Sequence, residues 1–343
     1  MRTLLNTLYV TTQKSYLGKD GETVAVNIDR KVVARIPVHT LSGIVCFGNV
    51  GMSPFLMGFC AEKEVGVSFL TERGRFLSRV VGPVSGNVLV RRTQYRRADC
   101  LDASAEIARA CVIGKIANSR AVLGRALRDH GDRIDAVAVK EAVARLGATL
   151  KELGRSQPLD TVRGLEGDAA RAYFGVLDHL VLINKEAFRF AGRNRRPPTD
   201  AFNALISFLY TLLLHDIRSA LETTGLDPAV GFLHRDRPGR PGLALDLMEE
   251  FRAFVADRLA LSLINQKQVL EAGFEKMESG AVIMTEETRK AVIAAYQKRK
   301  QDEILHPFLG EKVKIGQLFF LQAQLLNRYF RDDLDGYPPF VWR

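Results

Sequence analysis

Gly82-Pro83-Val84-Ser85-Gly86-Asn87 separates two hydrophobic periodicities, and reading it as a break decides the fold. Before it, from Thr3 to about Arg79, apolar residues come in short alternating runs: Val24, Val26 and Ile28, then residues 32 to 38, 44 to 47 and 65 to 70. Side chains of period two line one face of a strand, and Gly18-Lys19-Asp20-Gly21 and Gly48-Asn49 have the composition of turns. One helix interrupts these strands, with Ser53 as N-cap and Pro54 at the first helical position, running to about Lys63. After the break the period becomes 3.6, in Ala-, Leu- and Arg-rich segments at 104–130, 134–154, 166–190, 201–223, 246–272, 285–303 and 313–331. The expectation is an α+β chain of two domains: a small, mostly β domain over residues 1–81, a connector at 82–102 and an all-α domain over 103–343.

The chain has 343 residues, 47% of them hydrophobic, enough for a core in each of two domains. No apolar run reaches the ~18 residues of a membrane span, and Met1-Arg2-Thr3-Leu4-Leu5-Asn6 reads as a strand rather than a leader, so no membrane association and a cytoplasmic location are expected. Cys46, Cys60, Cys100 and Cys111 lack metal-ligand spacing and read as small buried hydrophobes. A net charge of +10 favours a polyanionic partner such as nucleic acid. Residues 1–97 hold 14 Lys and Arg against 6 Asp and Glu, so most of that excess lies in the first third.

Three segments of the helical region carry residues suited to chemistry. In residues 246–260, DLMEEFRAFVADRLA, a helix sets Leu247, Met248, Phe251 and Val255 on one side and Asp246 with Glu249 on the other, where two carboxylates at i, i+3 can share a cation. His234 precedes Asp246 by twelve residues, and the loop between them, with Arg235, Arg237 and Arg240, can fold back so that the imidazole faces the helix start. Mn²⁺ accepts such a nitrogen beside oxygen ligands. Glu166, read as opening a helix, shares a face with Ala169, Ala170 and Tyr173, small enough to admit a neighbouring helix. Each acid taken alone reads equally as a helix-terminal acid favoured by the macrodipole. A second basic group, Arg189, Arg193, Arg195 and Arg196, lies between the Glu166 and His234 segments, placed to follow a DNA backbone. His215-Asp216 lacks the further ligands of a metal phosphohydrolase, and no GxxxxGK[ST] phosphate loop is present.

Taken in order, RGLEGDAARAYF (163–174), NRRPPTDAFNALISFLYTLL (194–213), GLDPAVGFLH (225–234) and LALDLMEEFR (243–252) resemble the motif series of the CRISPR adaptation integrase. The resemblance extends to LTERGRFLSRVVGPVSGNVLVRRTQYR (70–96) and the closing YPPFVWR (337–343), covers nearly the whole chain, and is similar to the subtype C branch of the type I systems. It implies an N-terminal β domain and a helical catalytic domain, with Glu166, His234 and Glu249 as ligands of Mg²⁺ or Mn²⁺ and Asp246 as a supporting acid. Glu249 stands where many members carry aspartate, which keeps the charge and lengthens the reach by one methylene.

The implied activity is metal-dependent: a 3′-hydroxyl of spacer DNA attacks a phosphodiester at a repeat boundary, and water in its place gives endonuclease activity. The implied substrates are double-stranded and branched DNA. The implied partners are a second copy in a homodimer and a small ferredoxin-like second adaptation protein. Two other readings stay open on the residues: a general metal nuclease for branched DNA in repair, and a non-catalytic nucleic-acid scaffold.

Overall fold

A computed structural model of the chain describes residues 6–72, 74, 76–82, 88–195 and 197–342. The chain divides into two compact units, the first formed by residues 1–86 with 293–302 and 314–317, the second by the rest.

The alternating runs of the first unit become eight strands: β1 (Asn6–Val10), β2 (Tyr16–Asp20), β3 (Thr23–Ile28), β4 (Lys31–Pro37), β5 (Leu41–Phe47), β6 (Gly51–Met52), β7 (Gly66–Leu70) and β8 (Phe76–Val80). One sheet has the order β1-β5-β7-β8, with β1, β5 and β7 parallel and β8 antiparallel. The other has the order β4-β3-β2-β6, an antiparallel meander to which β6 adds in parallel. Leu17, Val24, Ile44, Cys46, Leu56 and Cys60 share one core cluster, and central β5 is apolar almost throughout because both its faces are covered. Helix α1 (Pro54–Glu62) starts as its sequence demands, with Ser53 Oγ accepting from Leu56 N at 3.2 Å. Residues 18–20, read as part of a turn, belong to β2. The reversal falls at Gly21-Glu22, where Gly21 takes a φ of +56°.

The second unit begins with α2 (Val88–Asp99), a helix where the sequence suggested a connector. It continues with α3 (Leu101–His130), α4 (Ala136–Leu153), α5 (Leu159–Val176) and α6 (Ala201–Thr223). Next come α7 (Gly242–Phe251), a π-helical stretch at Arg252–Asp257 and α8 (Arg258–Asn265). Helices α9 (Glu286–Gln301) and α10 (Ile315–Phe330) complete the set, each giving a short segment to the first unit. The expectation of an all-helical region is corrected by two short pairings, β9 (Phe274–Lys276) with β10 (Val282–Met284) and β11 (Glu303–Leu305) with β12 (Lys312–Lys314). The helix expected at 166–190 starts earlier and stops at Val176. After a 3₁₀ turn at Leu177–Leu180, Asp178 Oδ1 accepts from Phe190 N at 2.6 Å and Asn184 takes a φ of +48°.

Helix α3 is the axis of this unit, packing against α4, α5 and α7. Helix α6 is long and apolar enough to cross a membrane, but Phe202, Leu205, Leu209 and Leu213 are fully buried, so it serves as a core helix. Three cysteines are buried as expected, whereas Cys100 is exposed at the N-cap of α3. Burial pushes the Cys46 thiol up to about 12 and that of Cys60 to about 11, which leaves both unreactive.

Candidate active site

Helix α7 is buried on every side. Leu247, Met248 and Phe251 are in the core as their spacing predicts, but Asp246, Glu249 and Glu250 are no more than 2% exposed. Three buried carboxylates on one helix need partners, and those partners define the site.

Asp246 organises the turn that carries His234. Its Oδ2 accepts from the backbone amides of Phe232 at 2.6 Å and Leu233 at 3.0 Å. Its Oδ1 accepts from the amide of His234 at 2.9 Å and from His234 Nδ1 at 2.8 Å. A carboxylate can only accept here, so Nδ1 carries the hydrogen and Nε2 presents a lone pair in the neutral ring. Two glycines make the turn possible. A Cβ on Gly231 would lie 2.7 Å from His234 O, and one on Gly242 would lie 2.5 Å from the same atom. Gly242 N donates to Ala229 O at 3.1 Å, Arg163 of α5 donates to Leu233 O through Nε and Nη2, and Gln94 of α2 donates to the carbonyls of Asp227 and Val230.

His234 Nε2 points to Glu249, 4.0 Å from its Oε1. Glu249 is also met by Arg252 Nη1 at 3.1 Å and Lys115 Nζ at 2.8 Å. Burial opposes its charge, yet the cations Arg252 and Lys115 outweigh burial and hold the carboxyl down at about 2. Glu166 enters from α5 on the line of Val162, Ala169 and Tyr173, in the middle of the helix rather than at its opening, and its Oε1 bonds the same Lys115 ammonium. Acids from two helices thus share one cation supplied by a third. The π-helical stretch after α7 begins at Arg252 and ends at Asp257, whose oxygens accept from the hydroxyls of Tyr210 at 2.8 Å and Tyr173 at 3.0 Å. Burial pushes the Asp257 carboxyl up to about 6 against those two bonds.

Glu166, Glu249 and the His234 Nε2 lone pair are the donor types that Mg²⁺ and Mn²⁺ select, and the carboxylate behind the imidazole is the usual second partner of a ligating histidine. Among the described residues, however, no three His, Cys, Asp or Glu side chains are gathered as a ligand cluster. The donor set fits a divalent ion in kind, and Lys115 Nζ is the cation that both carboxylates contact.

Of the basic residues read from the sequence, Arg189, Arg195, Arg235 and Arg237 are exposed and Arg240 is half-buried. Arg196 lies outside the described residues. Arg193 is engaged by the protein itself, donating to Asn203 Oδ1 at 2.8 Å and Ser207 Oγ at 3.0 Å and lying over the ring of Tyr210.

The closing residues 337–342 have a structural task beside the site. Glu250 accepts from Tyr337 Oη at 2.7 Å, Phe340 N at 2.7 Å and Gln322 Nε2 at 3.1 Å. Asn118, one turn past Lys115, donates to the carbonyls of Glu250 and Phe340 and accepts from Trp342 N. Burial pushes the Glu250 carboxyl up to about 8, although those donors pull it down.

A β-rich N-terminal unit ahead of a helical unit in which Glu166 and Glu249 meet at Lys115 and His234 faces Glu249 defines a class, and the comparisons name it. The family model described as CRISPR associated protein Cas1 matches residues 8–298. A CRISPR-associated endonuclease Cas1 of Chlorobaculum tepidum is 57% identical over 343 residues, spanning 100% of both chains. Another, of Rhodospirillum rubrum, is 51% identical over 347 residues and again spans 100% of both. Among solved structures, a CAS1 protein from Thermotoga maritima shares the fold with a TM-score of 0.81 at 22% identity, over 98% of this chain and 100% of that one. A casposase bound to integration product does so with a TM-score of 0.83 at 21% identity, over 98% of this chain and 94% of that one. The chain belongs to the Cas1 family of CRISPR-associated proteins.

Proposed function

We propose that the chain is a metal-dependent DNA endonuclease and integrase that inserts spacer DNA into a CRISPR repeat array by attack of a 3′-hydroxyl on a phosphodiester. The observation that carries this reading is the meeting of Glu166 and Glu249 at one buried cation, with an imidazole locked by Asp246 facing Glu249. In the exchange, the attacking oxygen loses its proton and forms the new P–O bond while the old P–O bond breaks, its oxygen leaving as a hydroxyl. No nucleotide is consumed. A bound Mg²⁺ or Mn²⁺ supplies Lewis-acid chemistry, stabilising charge on the phosphoryl oxygens.

The protein's own share is positioning. Asp246 fixes the ring of His234, and Arg252 keeps Glu249 ionised through the working pH range. Exposed Arg189, Arg195, Arg235 and Arg237 and half-buried Arg240 are suited to the DNA backbone, whereas Arg193 supports the scaffold. The reading includes a homodimer, a small ferredoxin-like adaptation partner, action in the cytoplasm and the subtype C branch.

The test is incubation of the purified protein, with and without that partner, with labelled prespacer DNA, a supercoiled repeat plasmid and Mg²⁺ or Mn²⁺. Label joined to relaxed plasmid is the expected result. Hydrolysis of branched DNA with no joining would favour the repair nuclease, and binding without either reaction would favour the scaffold.

A further inference from the structure

Lys115 has no role in the chemistry proposed above, yet it occupies the site's central position. Its ammonium bonds Glu166 Oε1 and lies 2.8 Å from Glu249 Oε2, and its side chain is only 12% exposed. Those carboxylates are the two oxygen donors of the proposed metal site, so a divalent ion and this ammonium compete for the same atoms. Two cations cannot share that point without strong repulsion in a buried setting.

The structure also supplies somewhere for the lysine to go. Beside it is a cavity of about 20 Å³, enough for one water-sized group, lined by apolar Ile116, Leu146 and Phe174 as well as by Tyr173, Tyr210 and Asp257. Asp257, at 1% exposure, offers a carboxylate there that accepts hydrogen bonds from Tyr173 and Tyr210 and feels the Arg193 and Arg252 cations without a described hydrogen bond to either.

We propose that Lys115 is a resident cation that holds Glu166 and Glu249 together in the metal-free protein, is displaced by the incoming divalent ion, and withdraws into the adjoining cavity toward Asp257. The inference rests on the metal site proposed above. Its physical sense is that buried Glu249 and half-buried Glu166 would repel one another with only Arg252, on the Glu249 side, left to balance them, so the lysine keeps the site shaped until the metal arrives.

Mn²⁺ binding to the full-length protein, read by calorimetry or by loss of the free-ion electron paramagnetic resonance signal, tests this without any DNA. Lys115→Met removes the competitor and should bind Mn²⁺ roughly tenfold or more tighter than the parent. Its metal-free melting temperature should fall, and saturating Mn²⁺ should raise that temperature by more than it does in the parent. Lys115→Arg keeps the charge on a head too large for the cavity and should bind Mn²⁺ more weakly. Opposite signs in the two variants are the signature, since a lysine of purely structural value would weaken both. If Lys115→Met does not fold, Lys115→Gln is titrated in its place with the same expectation. Equal or weaker binding by the uncharged variant would overturn the displacement while leaving the metal site standing. Parental affinity in Lys115→Arg would overturn the withdrawal. Absence of Mn²⁺ binding in the parent and every variant would remove both the site and the inference.

Discussion

Asp246 Oδ1 takes two hydrogen bonds from the one residue His234, at 2.9 Å from its backbone amide and 2.8 Å from Nδ1. Backbone position and ring tautomer are therefore set by the same atom. Asp246→Asn would turn an NH₂ toward donors, setting it against either the His234 pair or the Phe232 and Leu233 amides. Two orphaned donors at about 1–3 kcal/mol each predict a loss of roughly 2–6 kcal/mol in stability. Strand transfer should nonetheless fall less than in Glu249→Gln, because Asp246 acts through His234. Denaturant unfolding and strand-transfer rates check the two halves, and the reverse order of activities would move Asp246 into the cation-binding set.

Gly242→Ala should disable the same turn from the other side. The added Cβ would lie 2.5 Å from His234 O and 2.7 Å from Ala229 O, both backbone atoms that cannot swing away. Strand transfer should drop by at least tenfold while far-ultraviolet circular dichroism stays unchanged. Full activity would show that the turn tolerates opening.

The tail anchor predicts a pH dependence. The folded-state carboxyl of Glu250 is raised to about 8, so its contribution is present below the unfolded value of about 4.3 and is lost as pH rises toward 8. Asp257, raised to about 6, has the same sign but is spent below pH 7, and Glu249, held at about 2, acts in the opposite sense only below about pH 4. Between pH 7 and 8 the parent should lose about 1 kcal/mol that Glu250→Gln retains. Chemical denaturation at the two pH values measures it, and parallel losses in both proteins would reject the assignment.

Much of this was legible beforehand because it is local. The change of hydrophobic period at 82–87 separated β from α, Ser53-Pro54 marked a helix start, and the twelve-residue spacing from His234 to Asp246 matched a folded-back loop. Lys115, Arg163 and Arg252 were not legible. On an Ala-rich helix a lysine looks like any solvated one, and its burial arises only where α5 and α7 cross α3. Glu250 was hidden for the same reason, since its partners lie 72 to 90 residues away. The arginines at 91–97, read as part of a connector, belong to α2, where Arg91 Nε donates to Gly225 O at 2.9 Å and Arg97 lies over Tyr329 and pairs with Asp332.

Burial also separates the remaining arginines. Arg195→Ala with Arg196→Ala should flatten the dependence of log K on log salt by roughly 0.9 for each lost phosphate contact, while weakening all duplex sequences alike. Arg193→Ala should leave that slope unchanged and lower stability, since it removes bonds to Asn203 and Ser207. Anisotropy across a salt series resolves the two. A parental slope in the double variant would remove Arg195 and Arg196 from the DNA contact.

The most direct test of the central claim is prespacer strand transfer by Glu166→Ala, His234→Ala and Glu249→Ala beside the parent, each with Mg²⁺, Mn²⁺ or EDTA. The parent should join DNA with either metal and stop in EDTA. Each variant should lose joining almost completely while keeping the parental circular dichroism spectrum and DNA affinity. Full joining by any one variant would remove that residue from the site, and joining by the parent in EDTA would contradict the metal mechanism itself.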